Sequence, residues 1–175
     1  MGRGLENCYS FPSVRGVQAG RAYYVAMVPF GAVERIFQPS QVEHKTLPLV
    51  GRHLNKARVP AIAQYVVRSE SYVIPPVHAS VEGAIKFESV GGLRSVGKLF
   101  IELTATIRLV DGRHRLAGIA RALQSRPHLT RDTIAVSFYP SDGPARSQQM
   151  FEDLNRTAIR PQHYRSAGEI HNLRR

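Results

Sequence analysis

The densest run of side chains that could do chemistry is Asp111, Gly112, Arg113, His114 and Arg115. An apolar, strand-like segment precedes this run and apolar residues at helical spacing follow it, which predicts a strand, a tight turn and a helix. A helix start offers free N–H groups and a positive dipole end, where three consecutive cations are unfavourable. A bound phosphate would remove that conflict, because it accepts hydrogen bonds from the amides and the guanidinium groups together. The pattern therefore predicts a phosphate-binding turn.

His114 and Asp111 are the candidates for catalysis in this turn, and each has an alternative role. His114 could donate to a phosphate or act as an acid or base near neutral pH, or it could be a helix-entry histidine bonded to the sheet. Asp111 could bind a cation, but no second carboxylate lies near it in the sequence, which favours a role in holding the turn. No metal site is predicted, and catalytic residues stay unassigned unless the chain is an enzyme.

Two further groups of residues are candidates for ligand contact. A predicted helix from Pro144 places Asn155 and Arg156 near its end, where Asn155 could cap the helix or present its amide to a ligand. A second basic cluster, formed by Arg52, Lys56 and Arg58, precedes another predicted helix. This cluster could meet phosphates, or it could be a solvated helix entry.

Charge is the most informative property of the composition. The chain of 175 residues has 24 Lys and Arg against 13 Asp and Glu, a formal net charge of +11, and 20 of the 24 cations are Arg. The planar guanidinium suits phosphate, so this excess points to a polyanionic partner, although a solvated basic surface would have the same composition. A single cysteine, Cys8, permits neither an internal disulfide nor a thiolate metal cage.

The length predicts one domain, and no apolar run reaches the roughly 20 residues that cross a bilayer. The N-terminus also lacks the apolar segment of a secretory signal. We therefore expect a cytoplasmic protein with no membrane association.

Periodicity predicts the elements that must position the turn. Residues 1–21 have no sustained period and are expected to form an entry arm, with the first strand at residues 22–28. Helices are expected after Pro29 and Pro60, and the segment 72–80 is expected to be an edge or bulged strand because of its two prolines.

Further along, Gly91-Gly92 marks a turn, residues 98–103 and 106–110 form one interrupted strand or two, and residues 133–139 form another strand. Strands mixed with helices in this order predict an α+β (α/β-like) fold with a mixed sheet flanked by helices.

Five blocks of the sequence resemble the N-terminal half of the DndB family, DNA sulfur modification proteins of the DGQHR-domain group. They occur in the family's order, at residues 11–30 (FPSVRGVQAGRAYYVAMVPF), 54–67 (LNKARVPAIAQYVV), 72–83 (YVIPPVHASVEG), 110–119 (VDGRHRLAGI) and 149–161 (QMFEDLNRTAIRP). The resemblance implies one DGQHR-type domain over residues 22–161. Residues 162–175 no longer resemble the family and are expected to be a divergent basic tail, consistent with a truncation of the longer family members.

The DGQHR group is similar in turn to ParB and sulfiredoxin-like domains, which bind nucleotide phosphates through a comparable turn. This implies a ParB/sulfiredoxin-like core around the turn and assigns phosphate contacts to Asp111, Gly112, His114 and Arg115. The family has Gln where Arg113 stands here. Arg offers donors and a fixed charge but no acceptor. Phosphate affinity should therefore survive or rise, whereas nucleotide hydrolysis that needs the amide of Gln is not expected.

The resemblance implies a DNA-binding transcriptional repressor of a DNA phosphorothioation gene cluster, with promoter DNA and other phosphorothioation proteins as partners. An operator with two-fold symmetry would favour a homodimer of the chain. The alternative is a ParB-like domain that binds or hydrolyses a nucleoside triphosphate, the one cofactor the turn suggests. A third interpretation is a truncated product that folds poorly. No enzymatic activity is expected under the first hypothesis.

Overall fold

The computed structural model describes residues 7–37 and 57–157. These residues form seven strands, four α-helices and a short 3-10 turn at Pro127–Arg131. The strands are β1 Cys8–Gln18, β2 Arg21–Pro29, β3 Val77–Glu82, β4 Ile85–Val90, β5 Leu93–Glu102, β6 Thr106–Asp111 and β7 Thr133–Pro140. The helices are α1 Phe30–Ile36, α2 Arg58–Arg68, α3 Arg113–Ser125 and α4 Pro144–Thr157.

All seven strands belong to one sheet, in the order β4-β5-β1-β2-β7-β3-β6. Neighbouring strands pair antiparallel, except that β3 and β7 pair parallel. The sheet is therefore mixed, and the predicted α+β class is confirmed.

The sheet curls strongly because of its short connections. β3 and β4 are five places apart in the sheet order, which would be about 24 Å in a flat sheet. Only residues 83 and 84 join them, and such a link reaches at most about 11 Å. β5 and β6 are also five places apart and are joined by residues 103–105 alone. The two ends of the sheet must therefore approach each other.

The concave face of this curled sheet is the core. Phe11, Tyr24, Leu99, Ile101 and Phe138 come from four different strands and are buried together. The helices α1, α2 and α3 add Val33, Val66 and Ile119 to the same cluster. α2 and α3 pack closely because Gly118 has no side chain, and a Cβ there would overlap the side chain of Ile62. The convex face contacts α4 at β6.

The predicted N-terminal arm is wrong for residues 8–18, which form β1 between β5 and β2. Its inward positions include Phe11 and the small polar Ser13, so the apolar alternation is weak, and long pairing with both neighbours holds the strand. The segment 72–80 is also corrected in part, since β3 begins at Val77, after both prolines, and lies inside the sheet. The expected bulge is present at His78 and Ala79.

The other predicted elements are confirmed. Helix α1 follows Pro29, and Pro60 lies in the first turn of α2. Gly91-Gly92 joins β4 to β5, and β7 includes residues 133–139. Residues 98–103 and 106–110, expected to form one interrupted strand or two, belong to two strands, β5 and β6, which lie five places apart in the sheet order.

The turn from β6 to α3 depends on Gly112. This residue has φ of 105°, a conformation that disfavours side chains, and a Cβ there would overlap Val77 at the start of β3. Both the backbone geometry and the space therefore require glycine.

We predict that Gly112→Ala lowers the free energy of unfolding by about 3 kcal/mol, since it adds overpacking to the cost of a left-handed residue. The matched control is Gly91→Ala, where φ is 64° and nothing lies within 4 Å of the added Cβ. This control should lose only about 1 kcal/mol. Urea denaturation of both variants measures the difference, and equal losses would show that the contact with Val77 is unimportant.

Candidate functional site

The candidate site is the junction at which β6 ends in Asp111 and α3 begins at Arg113. Gly112 precedes the helix, and its carbonyl accepts the first helical hydrogen bond from Leu116 N at 3.0 Å. The first turn of α3 contains no acidic residue, and Gly112 provides no side chain to cap it. The positive end of the helix dipole thus coincides with Arg113, His114 and Arg115.

Arg115 turns back towards the sheet. Its guanidinium donates to the carbonyl of Pro75 at 3.2 Å, to the carbonyl of Pro76 and to the carboxylate of Asp111. The charge of Arg115 is therefore balanced inside the site, and its donors hold the segment that leads into β3. Asp111 holds the turn through this ion pair.

Arg113 has the opposite orientation. Its side chain is exposed, and no carboxylate within residues 7–37 or 57–157 lies at ion-pair distance from it. His114 is half-buried. Of the three basic residues, Arg113 is the one whose charge faces solvent beside the helix N-terminus, where an anion would be attracted.

Sequence reasoning missed His78, which lies on β3 directly opposite Asp111. Its ring centroid is 6.1 Å from that of Tyr139 on β7. Its Nδ1 is buried, as is the hydroxyl of Ser80 two residues further, and neither atom has a hydrogen-bond partner among the described residues. The alternation of VHASVE gave a signal, since it places the polar His78, Ser80 and Glu82 on the face opposite the buried Val77, Ala79 and Val81.

The environment of His78 favours its neutral form. Burial lowers the pKa of His78 below its ordinary 6.5, the carboxylate of Asp111 opposes this effect, and the guanidinium of Arg115 adds to it. The imidazole of His78 is therefore neutral at neutral pH. It lies behind the turn, close enough to interact electrostatically with Asp111 and Arg115, the two residues that hold the turn.

The remaining predicted site residues are spread over other parts of the chain. Arg58 is exposed at the first position of α2, whereas Arg52 and Lys56 lie outside the described residues. Asn155 and Arg156 belong to the last turn of α4, and their side chains also lie outside the description. Met150 is buried, as its helical spacing predicted.

The described residues contain neither a membrane-spanning helix nor a cluster of metal-binding side chains. No helix there is long and apolar enough to cross a membrane. No group of three or more His, Cys, Asp or Glu side chains in the same ranges could hold a metal ion.

A comparison with protein families matches the model named DndB, described as DNA-sulfur modification-associated, over residues 11–167. The match extends from β1 beyond the end of α4 and includes the whole β6–α3 junction. No curated protein matches the chain significantly. No solved structure does so either.

The contrast between Arg115 and Arg113 predicts effects of different size on stability. Arg115→Gln should lower the free energy of unfolding by about 1–3 kcal/mol, because it breaks the ion pair with Asp111 and leaves carbonyls of residues 75–76 without a donor. Arg113→Gln should change it by less than about 0.5 kcal/mol, as expected for an exposed residue. Urea denaturation compares the two, and a larger loss for Arg113→Gln would contradict these assignments.

The lowered pKa of His78 predicts a pH-dependent contribution to stability. The unfolded chain binds a proton at this histidine near pH 6.5 and the folded chain only at lower pH, so stability is lost as the pH falls below about 6.5. The His78→Gln variant should therefore lose less stability than the parent chain between about pH 7.5 and 5.5. The exposed His128 provides the control, and His128→Gln should retain the parent's pH dependence.

Proposed function

The chain belongs to the DndB family of DNA-sulfur modification-associated proteins, and on this premise we propose that it is a DNA-binding transcriptional repressor of a DNA phosphorothioation gene cluster. Membership of this family associates the chain with DNA sulfur modification. The repressor role is the finer part of the proposal and derives from the resemblance to DndB proteins. DNA upstream of its own gene cluster, a second copy of the chain and other proteins of the modification system are the partners we propose, in the cytoplasm.

The observation that carries DNA binding is the exposed Arg113 beside an uncapped helix N-terminus with no acidic residue in its first turn. A phosphate at this position would accept hydrogen bonds from the guanidinium of Arg113 and from backbone amides at the start of α3. His114, next in the same turn, is proposed as a further donor. Asp111 and Arg115 would hold the turn in place, so that the amides are ordered before DNA arrives.

The charge of the whole chain supports the same proposal. The formal net charge is +11, and several arginines on different elements are exposed, namely Arg15, Arg35, Arg58, Arg68, Arg94, Arg121 and Arg131. A surface of this kind attracts DNA through its phosphates and makes the affinity depend steeply on salt. Arg52, Lys56 and Arg156 would add to this attraction. Sequence preference would have to come from groups other than these phosphate contacts.

A second candidate function is favoured by the position of His78 opposite Asp111, immediately behind the proposed phosphate-binding turn. A nucleoside triphosphate could place its phosphates at Gly112–Arg113, with His114 or His78 moving a proton. This proposal makes the chain a ParB-like nucleotide-binding or nucleotide-hydrolysing domain. Turnover of ATP or CTP that disappears in His114→Ala would favour it over DNA binding alone.

The DNA-binding proposal predicts a specific effect of Arg113→Gln. Binding to duplex DNA should weaken about equally for the upstream sequence and a shuffled sequence, and the slope of log K against log salt should decrease by about 1, since one phosphate contact is lost. Fluorescence anisotropy across a salt series measures both quantities.

The matched control is Arg121→Gln, an exposed arginine on the same helix but two turns from its N-terminus. Arg121→Gln should have an affinity for DNA and a salt slope closer to those of the parent chain than Arg113→Gln has. Tighter binding of the upstream duplex than of the shuffled one supports a repressor. Parent-like binding by Arg113→Gln would remove the turn from the proposal.

A further inference from the structure

The convex face of the sheet contains a pair of aromatic rings that the proposed phosphate site does not use. Tyr23 on β2 and Tyr139 on β7 are stacked, with ring centroids 5.6 Å apart and planes inclined by 14°. Gly16 is the partner of Tyr23 on β1, and a Cβ there would overlap the tyrosine ring. The ring of Tyr23 thus lies over the backbone of β1, and the two rings together form a half-exposed aromatic shelf.

Apolar side chains surround this shelf on the β2 side. Val14 and Val96 are partners on β1 and β5 and are 50% and 42% exposed, and Met27 on β2 is 47% exposed. The helix of this face, α4, packs on β6 at the other end of the sheet. Among the described residues, these exposed side chains give the β1, β2 and β5 side of the sheet an apolar surface.

Cations border the same surface. Lys98 lies over the ring of Phe100 with its Nζ 5.3 Å from the ring centroid, and Arg94 is exposed on the same strand. Arg21 lies two residues from Tyr23 and is paired with Asp142 at 3.0 Å. Lys86 is likewise paired with Glu88. Lys98 lies opposite Glu88 on β4, whereas Arg94 has no ion pair within residues 7–37 or 57–157, so Arg94 is the cation of this border that favours anions.

The shelf is continuous with the β6–α3 turn. The ring centroid of His78 is 6.1 Å from that of Tyr139, and His78 pairs across the sheet with Asp111. The strand registers place Asp111 two strands across and two residues along from Tyr139, which corresponds to a Cα separation of about 12 Å. Beneath the shelf, Ser80 pairs with Tyr139, and its fully buried hydroxyl has no hydrogen-bond partner among the described residues.

We propose that Tyr23 and Tyr139 form a stacking shelf for an unpaired DNA base, in a strand whose phosphates are held by the β6–α3 turn. This inference rests on the proposed DNA binding and adds the form of DNA that the protein recognises. Aromatic rings on an open sheet face, bordered by cations, suit bases because every base has a flat π-face and a neighbouring phosphate. A cross-strand aromatic pair could otherwise serve the stability of the sheet alone, and the experiment separates these roles.

The test compares two single strands of about ten nucleotides, one of thymidines and one abasic with the same phosphates. Fluorescence anisotropy measures their binding to the full chain. Tyr139→Leu should bind the thymidine strand about tenfold more weakly than the parent chain and the abasic strand equally well. Tyr139→Phe should bind the thymidine strand as tightly as the parent chain, because stacking needs the ring and not the hydroxyl. Tyr65→Leu is the control, since Tyr65 is exposed on α2, away from the shelf.

A spectroscopic measurement covers the case in which Tyr139→Leu does not fold. The chain has no tryptophan, so Tyr139→Trp introduces a single tryptophan at the shelf. The thymidine strand should quench its fluorescence, whereas the abasic strand should leave it unchanged.

If the parent chain binds both strands equally, or if both strands quench equally, the proposed base stacking on Tyr23 and Tyr139 is wrong, whereas the proposed phosphate binding is unaffected. If neither the strands nor duplex DNA bind, the proposed function itself fails. The two failures are therefore distinguishable.

Discussion

The contact between Gly112 and Val77 determines where the candidate site lies. It brings the start of α3 against the start of β3, at a distance that leaves no room for a side chain on residue 112. β3 is an interior strand, paired with both β7 and β6, so its first residue cannot move without loss of ladder hydrogen bonds. Arg115 adds a second connection through the carbonyls of Pro75 and Pro76. The amides at the start of α3 are consequently held by the sheet itself.

The three adjacent basic residues of the turn have different physical roles. Arg115 is neutralised by Asp111 and acts as a tie between helix and sheet, whereas Arg113 leaves its charge in solvent. This division explains how a helix can begin with three such residues, since only part of their charge opposes the dipole.

The parts of this structure that could be predicted from sequence are those with local causes. The Asp-Gly turn, the helix after it and the strand at residues 133–139 follow from turn chemistry and periodicity. β1 was missed because its pattern is weak and its stability comes from two neighbouring strands. His78 and the carbonyl acceptors of Arg115 were missed because they meet the turn from about 33–40 positions away in the chain. Only the curled sheet brings them together, and no local pattern contains that information.

The most direct test of our account is the response of individual backbone amides to DNA. NMR of the ¹⁵N-labelled chain, titrated with a short duplex, reports the chemical shift of every amide at once. We predict the largest changes at the amides of residues 112–114, at the start of α3 where a phosphate would bind, with smaller changes at the far end of the same helix. Changes confined to other elements, with these amides unaffected, would contradict the assignment of the β6–α3 turn as the phosphate site.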